Sequence, residues 1–333
     1  MPPRKTKKRT SRYPDFTIVG TGQLARVLVH ALRDAGYKIR EIVSRDLPES
    51  KQRARKLARQ VEAKARIVPD AQFETTVIWL CIPDDYIAQC AAAIAHAKSD
   101  WGGQTVVHSS GALSSRELGA FNRAGAAIAS AHPLMSFVPN SPATLRDVPF
   151  ALEGDGKALA VLEPALQRMK ASVFKVEEEK KAAYHAFGSF ASPLLIAYLT
   201  QMEAAGQLAG LDLKEARQRA AAILRQTLLN YIQKGPEEAF SGPLRRGDVG
   251  TVRRHLQVFE QNPRLGDFYR ELVKTALRQL PVNNRAEIEE LLAQDQPAVF
   301  FWWTKQLQPI SVDFKGFDPN PTTESWNSYQ WSI

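Results

Sequence analysis

A glycine-rich segment near the amino terminus has the spacing of a phosphate-binding loop. It reads Gly20-Thr21-Gly22-Gln23-Leu24-Ala25 and lies between a short apolar stretch and residues with helical periodicity. In this pattern the first glycine permits a tight turn, the second lets the backbone approach a pyrophosphate, and the alanine allows close helix–strand packing. The amides and dipole of the helix amino terminus then attract the anion. The motif therefore predicts a dinucleotide site, with a purely structural turn as the alternative.

The residues that follow the second predicted strand favour NADP over NAD. An NAD site places a carboxylate there for the ribose hydroxyls, whereas this chain reads Val43-Ser44-Arg45. Ser44 can donate a hydrogen bond to a 2′-phosphate, and the Arg45 guanidinium can pair with it. Asp46 could still reach a ribose, so NAD stays as the alternative. The basic stretch from Lys51 to Arg59 adds positive charge nearby, although a solvated helix face explains most of it.

Three further predicted strands end in residues that suit ligand contacts. Ligands of open parallel sheets bind beyond the carboxyl ends of the strands. The segments at these ends are Ile82-Pro83-Asp84, His108-Ser109-Ser110-Gly111 and His132-Pro133. We expect cofactor contacts from Ile82, Pro83 and Gly111, and substrate contacts from Ser109, Ser110 and His132.

Several of these residues also have a structural interpretation. Asp84 suits the capping of the next helix better than catalysis. The two serines could make ordinary turn hydrogen bonds. His108 could donate a proton or be a half-buried histidine bonded to backbone, and the sequence leaves both roles open.

A later predicted helix presents a polar stripe. His185, Ser189 and Ser192 stand at i, i+4 and i+7, which places them on one side of that helix. Such a stripe on an apolar helix needs partners or water, and a cleft between two domains would provide both. We expect His185 to be the proton donor, with His108 as second choice, and Ser189 and Ser192 to bind substrate. The alternative is that the stripe only satisfies neighbouring helices.

Other chemistries have little support in the sequence. The six histidines are scattered, and no Cys-x-x-Cys or His-Glu-x-x-His occurs, so we expect no metal site. There is no GxSxG nucleophile elbow and no Walker loop. The net charge is +9, but six basic residues without an acid lie within residues 1–12, which leaves +3 for residues 13–333. We therefore expect a solubilising tail and no specific binding of nucleic acid.

The elements that must position these residues alternate between strand and helix in the first half of the chain. Predicted strands occupy 16–20, 38–43, 77–82, 105–108, 126–131, 150–153 and 172–176, with helices between most of them. This order predicts an α/β fold, a Rossmann-like, doubly wound and mostly parallel sheet, over residues 14–177. Helical patterns then predict an all-α domain over 178–295. A basic disordered tail (1–13) and an aromatic-rich arm (296–333) complete the predicted organisation.

Length and composition agree with two domains and a cytoplasmic location. A chain of 333 residues exceeds the ~250–300 residues at which single cores split. No apolar run reaches the ~20 residues of a membrane span, and no signal-peptide core follows the basic residues. The two cysteines stand apart in segments that we expect to be buried, as in a reducing compartment.

Four segments in order resemble a known family. They are His108–Leu113, His132–Phe137, Tyr184-His185-Ala186 and Ser241–Asp248. Together they resemble uncharacterised bacterial proteins with a Rossmann-like domain and a helical domain of unknown function, described as NADP-dependent oxidoreductases. More distantly, the layout is similar to pyrroline-5-carboxylate reductases and to 6-phosphogluconate and β-hydroxyacid dehydrogenases. In the family an asparagine is expected near position 193, where this chain has Ser192-Pro193.

The resemblance and the phosphate loop together lead to one hypothesis and one rival. The hypothesis is an NADP-dependent oxidoreductase that transfers a hydride between nicotinamide and a small carbonyl or imine substrate in an interdomain cleft. The rival is a non-catalytic NADP(H)-binding or sensing module that acts through a protein partner, a role compatible with Pro193. Four consecutive aromatic residues, 300–303, also predict an ordered arm that packs on its own subunit or, in a homodimer, on its partner.

Overall fold

The computed structural model describes residues 13–140 and 144–294. The chain divides between Ala197 and Tyr198 into two compact units. The aromatic arm predicted for 296–333 lies outside the described residues, as does the predicted basic tail up to residue 12.

Strands and helices alternate along the first unit. The strands are β1 (Asp15–Val19), β2 (Lys38–Ser44), β3 (Lys64–Ile67), β4 (Val77–Leu80), β5 (Thr105–His108), β6 (Ala127–Pro133), β7 (Pro149–Gly154) and β8 (Ser172–Lys175). The helices are α1 (Gln23–Asp34), α2 (Pro48–Gln60), α3 (Ile87–Ala95), α4 (Gly119–Arg123), α5 (Gly156–Arg168) and α6 (Lys181–Ala191). The next helix, α7 (Pro193–Leu208), contains the division between the units.

The eight strands form one sheet in the order β3-β2-β1-β4-β5-β6-β7-β8. All neighbouring strands are parallel except β6 and β7. The first strand lies inside the sheet and the chain winds outward on both sides of it, which is the doubly wound arrangement. The predicted Rossmann-like fold class is therefore confirmed.

Alternating side chains of β4 pack into two separate apolar cores, one on each face of the sheet. Val77 and Trp79 of β4 belong to one apolar cluster, which also contains residues of α1, α2 and α5. Ile78 and Leu80 of the same strand belong to the other, with residues of α3 and α4. All four side chains are fully buried. A strand that is apolar on both faces must lie between two helical layers, and this fixes β4 in the middle of the sheet.

The structure corrects several predicted elements of the first unit. The basic helix expected to reach residue 65 ends at Gln60, and β3 follows it. The sequence predicts a capping box of Ser114 and Glu117, but it is not formed, because the Glu117 amide donates to the Ser114 backbone carbonyl at 3.2 Å and not to its hydroxyl. The helix expected to carry the polar stripe is interrupted, because Pro193 starts a new helix after Ser192.

The second unit is helical throughout its described part. Its helices after α7 are α8 (Leu213–Lys234), α9 (Pro236–Ala239), α10 (Pro243–Arg246), α11 (Val249–Phe259), α12 (Pro263–Gln279) and α13 (Arg285–Gln294). Asp212 and Asp248 cap α8 and α11 as the sequence predicts. The sequence also predicts a helix start at Asp267, and this is wrong, since Asn262 caps that helix five residues earlier. The buried core of this unit comes from α11, α12 and α13.

None of the helices in the described ranges is both long enough and apolar enough to cross a membrane.

Candidate functional site

The sheet brings the predicted ligand-binding segments to one edge. Strand register aligns Val19 of β1 with Leu80 of β4, Leu80 with His108 of β5, and His108 with Ser130 of β6. The loops that follow these parallel strands therefore leave the sheet side by side. This carboxyl edge is where ligands of open α/β sheets bind.

The phosphate loop has the geometry that a pyrophosphate requires. Gly20 has φ +114°, and a Cβ on it would collide with the carbonyl oxygen of Cys81, so only glycine fits. A Cβ on Gly22 would meet open space. Helix α1 starts there with no side-chain cap and no acidic residue in its first turn. Its first amides are thus available to an anion, and the loop residues Gly20 to Ala25 fit a dinucleotide phosphate.

The end of β2 provides one exposed guanidinium. The Ser44 hydroxyl is buried and donates to the backbone carbonyl of Arg45 at 3.2 Å, so it is not oriented for the phosphate contact predicted from the sequence. The Arg45 side chain is exposed. Asp46 is the acid at this position that could bind a ribose and so favour NAD. Its carboxylate accepts from Nζ of Lys51 at 2.6 Å and is thus paired within the protein. Arg45 is thus exposed, and its contact with a 2′-phosphate stays a prediction.

His108 is held on both sides of its ring. It is fully buried, Nε2 donates to the carbonyl of Ser114 at 2.9 Å, and Nδ1 accepts from the amide of Ser110 at 3.1 Å. Burial lowers the pKa of His108 to about 4, with the nearby Lys181 charge acting in the same direction. Of the two roles considered for His108, this geometry favours a neutral imidazole that shapes the loop after β5.

The serines after His108 are also engaged within the protein. The Ser110 hydroxyl donates to Oδ2 of Asp84 at 2.6 Å and accepts from the amides of Ala112 and Leu113. Ser109 Oγ accepts from the indole nitrogen of Trp79 at 2.7 Å. Asp84 therefore holds the loop after β5, and no hydrogen bond from its side chain caps the following turn. These contacts make the loop rigid before any ligand arrives.

Three aromatic side chains meet beside this loop. His132 of β6 shares a hydrogen bond of 2.8 Å between its Nδ1 and the Tyr184 hydroxyl, and the His185 ring lies with its centroid 6.0 Å from that of His132. A Cβ on Gly111 would lie 2.9 Å from Nε2 of His132 and 2.7 Å from Cδ2 of His185. Gly111 is thus required because both imidazoles pack against its backbone. We call His132, Tyr184 and His185 the aromatic cluster.

Burial keeps two members of the aromatic cluster, His132 and Tyr184, neutral at physiological pH. Desolvation lowers the pKa of His132 to about 4, and the charges of His185 and Lys181 lower it further. Desolvation raises the pKa of Tyr184 to about 12. His185 is exposed on the first half of α6, so it is the member of the cluster that solvent reaches.

The structure separates the rest of the predicted stripe. Ser189 lies on α6 with His185, but its hydroxyl donates to the His185 backbone carbonyl at 3.1 Å. Ser192 is at the break between α6 and α7. Ile82 packs near Gly20 in the phosphate loop, and Pro83 is exposed after it. Ile82 therefore lies beside the phosphate loop, whereas Gly111, His132 and His185 lie together at the aromatic cluster.

Two residues of the site were not predicted as functional. Tyr184 occurs in the sequence analysis only as part of a motif, and Lys181 has no predicted role there. Both precede His185 on the same helix, at spacings of one and four residues. The signal that could have found Lys181 is its position one helical turn from His185, since i and i+4 share a face.

Comparison with known proteins agrees with this architecture. Residues 1–133 match the Rossmann-like domain model, and residues 148–276 match a domain of unknown function, DUF2520. None of the curated proteins matches the chain. The crystal structure of protein TM1727 from Thermotoga maritima is 28% identical with a TM-score of 0.63, and the match covers 83% of this chain and 99% of that one.

Two reductases of solved structure share the fold at lower identity. A reductive aminase from Aspergillus terreus, in complex with NADPH and ethyl-5-oxohexanoate, is 15% identical over 84% of this chain and 99% of its own, with a TM-score of 0.57. A pyrroline-5-carboxylate reductase from Coxiella burnetii is 16% identical over 86% of this chain and 100% of its own, with a TM-score of 0.52. The resemblance inferred from the four sequence motifs is confirmed: the chain joins a Rossmann-like domain to a DUF2520 helical domain.

Proposed function

We propose that this chain is an NADP(H)-dependent oxidoreductase that acts on a small carbonyl or imine substrate beside the aromatic cluster. One observation carries the proposal: the uncapped amino terminus of α1 follows β1, and His132 of the aromatic cluster lies at the end of β6, at the same carboxyl edge of the sheet. The shared fold of two reductases, one crystallised with NADPH and a keto ester, supports the same assignment.

The residues of the first unit divide the binding of NADP(H) between them. The amides of the Gly20–Ala25 loop would hold the pyrophosphate, and Arg45 would pair with the 2′-phosphate. Ile82 and Gly111 lie on the loops that follow β4 and β5 and would contact the rest of the dinucleotide. When bound, NADPH supplies a hydride for an electrophilic carbon.

The aromatic cluster would bind the substrate and move its proton. His185 is exposed and borders Gly111, so it is our candidate for the proton donor. His132 is neutral and has its Nδ1 engaged by Tyr184, which leaves Nε2 toward Gly111 for a hydrogen bond to a substrate oxygen or nitrogen. The rigid loop from His108 to Leu113 would keep water and side chains out of this space.

The decisive experiment separates the enzyme from the rival binding module. NADPH and NADH affinities are measured by calorimetry, and NADPH oxidation is then followed with a panel of keto acids, aldehydes and cyclic imines. We expect NADPH binding and turnover of at least one class, with turnover strongly reduced in His185→Ala and binding unchanged. Tight NADPH binding without turnover of any class would overturn the enzyme and favour a sensing module.

We also propose that the chain forms a homodimer through α8. Ala216 is the one buried residue of this 22-residue helix, and helices in proteins depend on packing for their stability. Ile223 and Ile232 are 68% and 75% exposed. The segment Gln226–Gln233 contains no charge, as is typical of the centre of an interface. A second copy offers the same uncharged face, so a twofold contact would cover both helices.

A reducing, cytoplasmic setting accords with the cysteines. Both thiols are free. Burial raises the pKa of Cys81 to about 12 and that of Cys90 to about 11, so neither is present as a reactive thiolate.

A further inference from the structure

Lys181 is a buried ammonium in the middle of the candidate site. It is the first residue of α6 and only 2% exposed. Its Nζ donates to Ser130 Oγ at 2.7 Å and to the Ser110 carbonyl at 3.2 Å. Among the residues that the structure describes, no carboxylate lies within ion-pair distance of it. A buried charge without a direct counter-ion is costly, so its presence calls for a compensating role.

The contacts of Lys181 connect three elements of the first unit. Ser130 belongs to β6 and itself donates to the Ser110 carbonyl at 3.0 Å, while Ser110 lies on the loop after β5. The ammonium therefore joins the start of α6 to both structures. The strand register places Glu153 of β7 opposite Ser130. The Glu153 carboxylate accepts from Ser115, and its charge raises the pKa of Lys181 against the effect of burial.

Lys181 shares a helix face with the two cluster residues of α6. Tyr184 and His185 follow it at i+3 and i+4, and such residues lie on the same side of a helix. A fixed point in the first turn thus sets the rotation of α6 about its axis. That rotation decides whether the Tyr184 hydroxyl meets Nδ1 of His132 and whether His185 reaches Gly111.

We propose that Lys181 is a positioning residue whose buried ammonium holds Tyr184 and His185 against His132 and Gly111. At 2% exposure it does not touch a substrate, and its effect passes through the cluster. Its consequence for catalysis rests on the proposed oxidoreductase function. Its effect on the geometry of the aromatic cluster is independent of that function. The experiment therefore measures the geometry without any substrate.

The charge of Lys181 also acts on the imidazoles that face it. His132 and His108 both have their pKa lowered by burial and, in addition, by this ammonium. The other charged or titratable groups near them are His185, which lowers the pKa of His132, and Asp84, which raises the pKa of both histidines. Asp84 and Glu153 in turn oppose the lowering of the Lys181 pKa by burial. Removing the ammonium should therefore raise the pKa of His132.

The test compares Lys181→Met and Lys181→Arg with Lys180→Met as a matched control. Lys180 is the adjacent lysine, is exposed, and pairs with Glu177 at 2.6 Å outside the cluster. Ser130→Ala removes one acceptor of Lys181 without removing its charge, in case Lys181→Met does not fold. Nitrogen-15 NMR of labelled histidines measures the His132 pKa and its tautomer in the whole protein without any substrate.

We expect Lys181→Met to raise the His132 pKa by at least half a unit and to broaden or shift the His132 Nδ1 resonance. Lys181→Arg and Lys180→Met should keep the wild-type pKa, and Ser130→Ala should shift the tautomer signal alone. A folded Lys181→Met with an unchanged His132 titration and Nδ1 signal would overturn the proposal. So would an equal change in Lys180→Met.

Kinetics then separates this proposal from the proposed function. Once a substrate has been identified, Lys181→Met should lower kcat at least tenfold, while the Kd for NADPH should change less than twofold. A changed NMR signature in a protein that turns over no substrate would support the positioning role and contradict the oxidoreductase. Unchanged kcat in folded Lys181→Met would contradict the positioning role alone.

Discussion

The Tyr184 hydroxyl lies 2.8 Å from Nδ1 of His132, and this contact joins α6 to β6. Because burial keeps His132 neutral, one of its ring nitrogens is an acceptor and the other a donor. A phenol whose pKa is raised to about 12 stays protonated and can donate to Nδ1. The proton of His132 is then on Nε2, which faces Gly111. One hydrogen bond thus orients the group that we assign to substrate binding.

Tyr184→Phe tests this relationship. The ring contact with Phe174, 5.8 Å between centroids, should persist, while Nδ1 of His132 loses its partner. An unsatisfied buried acceptor costs about 1–3 kcal/mol. We expect the free energy of unfolding, measured in urea, to fall by that amount and kcat/KM to be reduced roughly tenfold, with NADPH affinity unchanged. Wild-type kcat/KM in the phenylalanine variant would show that the pair does not orient His132 for catalysis.

Arg45→Ala tests the choice of cofactor. Charge-assisted hydrogen bonds contribute about 1.5–3 kcal/mol, and a factor of ten corresponds to ~1.4 kcal/mol. NADPH should therefore bind about ten- to hundredfold more weakly, while NADH affinity stays nearly unchanged. Arg55→Ala on α2 removes an equal charge from an exposed position and serves as the control in calorimetry. Equal losses for both cofactors in Arg45→Ala would place Arg45 in the fold rather than at the phosphate.

His108 makes stability depend on pH in a defined window. Its pKa is about 4 in the folded protein, below the ordinary 6.5, so the unfolded chain binds more protons between these values. The free energy of unfolding should fall as the pH decreases from 6.5 to 4, by about 3 kcal/mol from this fully buried group. Urea unfolding of His108→Gln should show a shallower decrease than wild type. His96→Gln should keep the wild-type slope, and the same slope in His108→Gln would contradict the assignment.

Ile232→Glu tests the α8 interface. A charge on this 75% exposed side chain has no cost in a monomer but would be buried in a dimer. Light scattering should therefore give a dimer mass for wild type and a monomer mass for the variant. Val258→Glu, at an exposed position on α11, is the control that should remain dimeric. A wild-type chain that is monomeric at high concentration would refute the interface.

Periodicity and turn chemistry predicted most of the sheet. Thr105–His108 agrees with β5 residue for residue, because a short β-branched run ends there at a polar turn. β3 was missed because Lys64–Ile67 is short, partly exposed and carries two basic residues, so it lacks the apolar pattern of a buried strand. Its place at the sheet edge explains that composition.

The candidate site was predictable only in part. The phosphate loop follows from local spacing, since its function depends on backbone conformation within six residues. The aromatic cluster depends on the contact between His132 of β6 and Tyr184 of α6, which are 52 positions apart in the chain, and local patterns do not predict such contacts. The hydrogen-bond partners of His108 and Ser44 within the protein were not predicted for the same reason, because the fold sets them.

NADPH binding to Gly22→Val tests the central claim most directly. The Gly22 backbone is extended and a side chain there meets open space, so the variant should keep its stability within about 0.5 kcal/mol. Its isopropyl group would occupy the position of the pyrophosphate, and calorimetry should show at least a hundredfold loss of NADPH affinity. Gly156→Val, also at a helix start facing open space, should bind NADPH like wild type. Undiminished NADPH affinity in folded Gly22→Val would contradict a cofactor site at this loop.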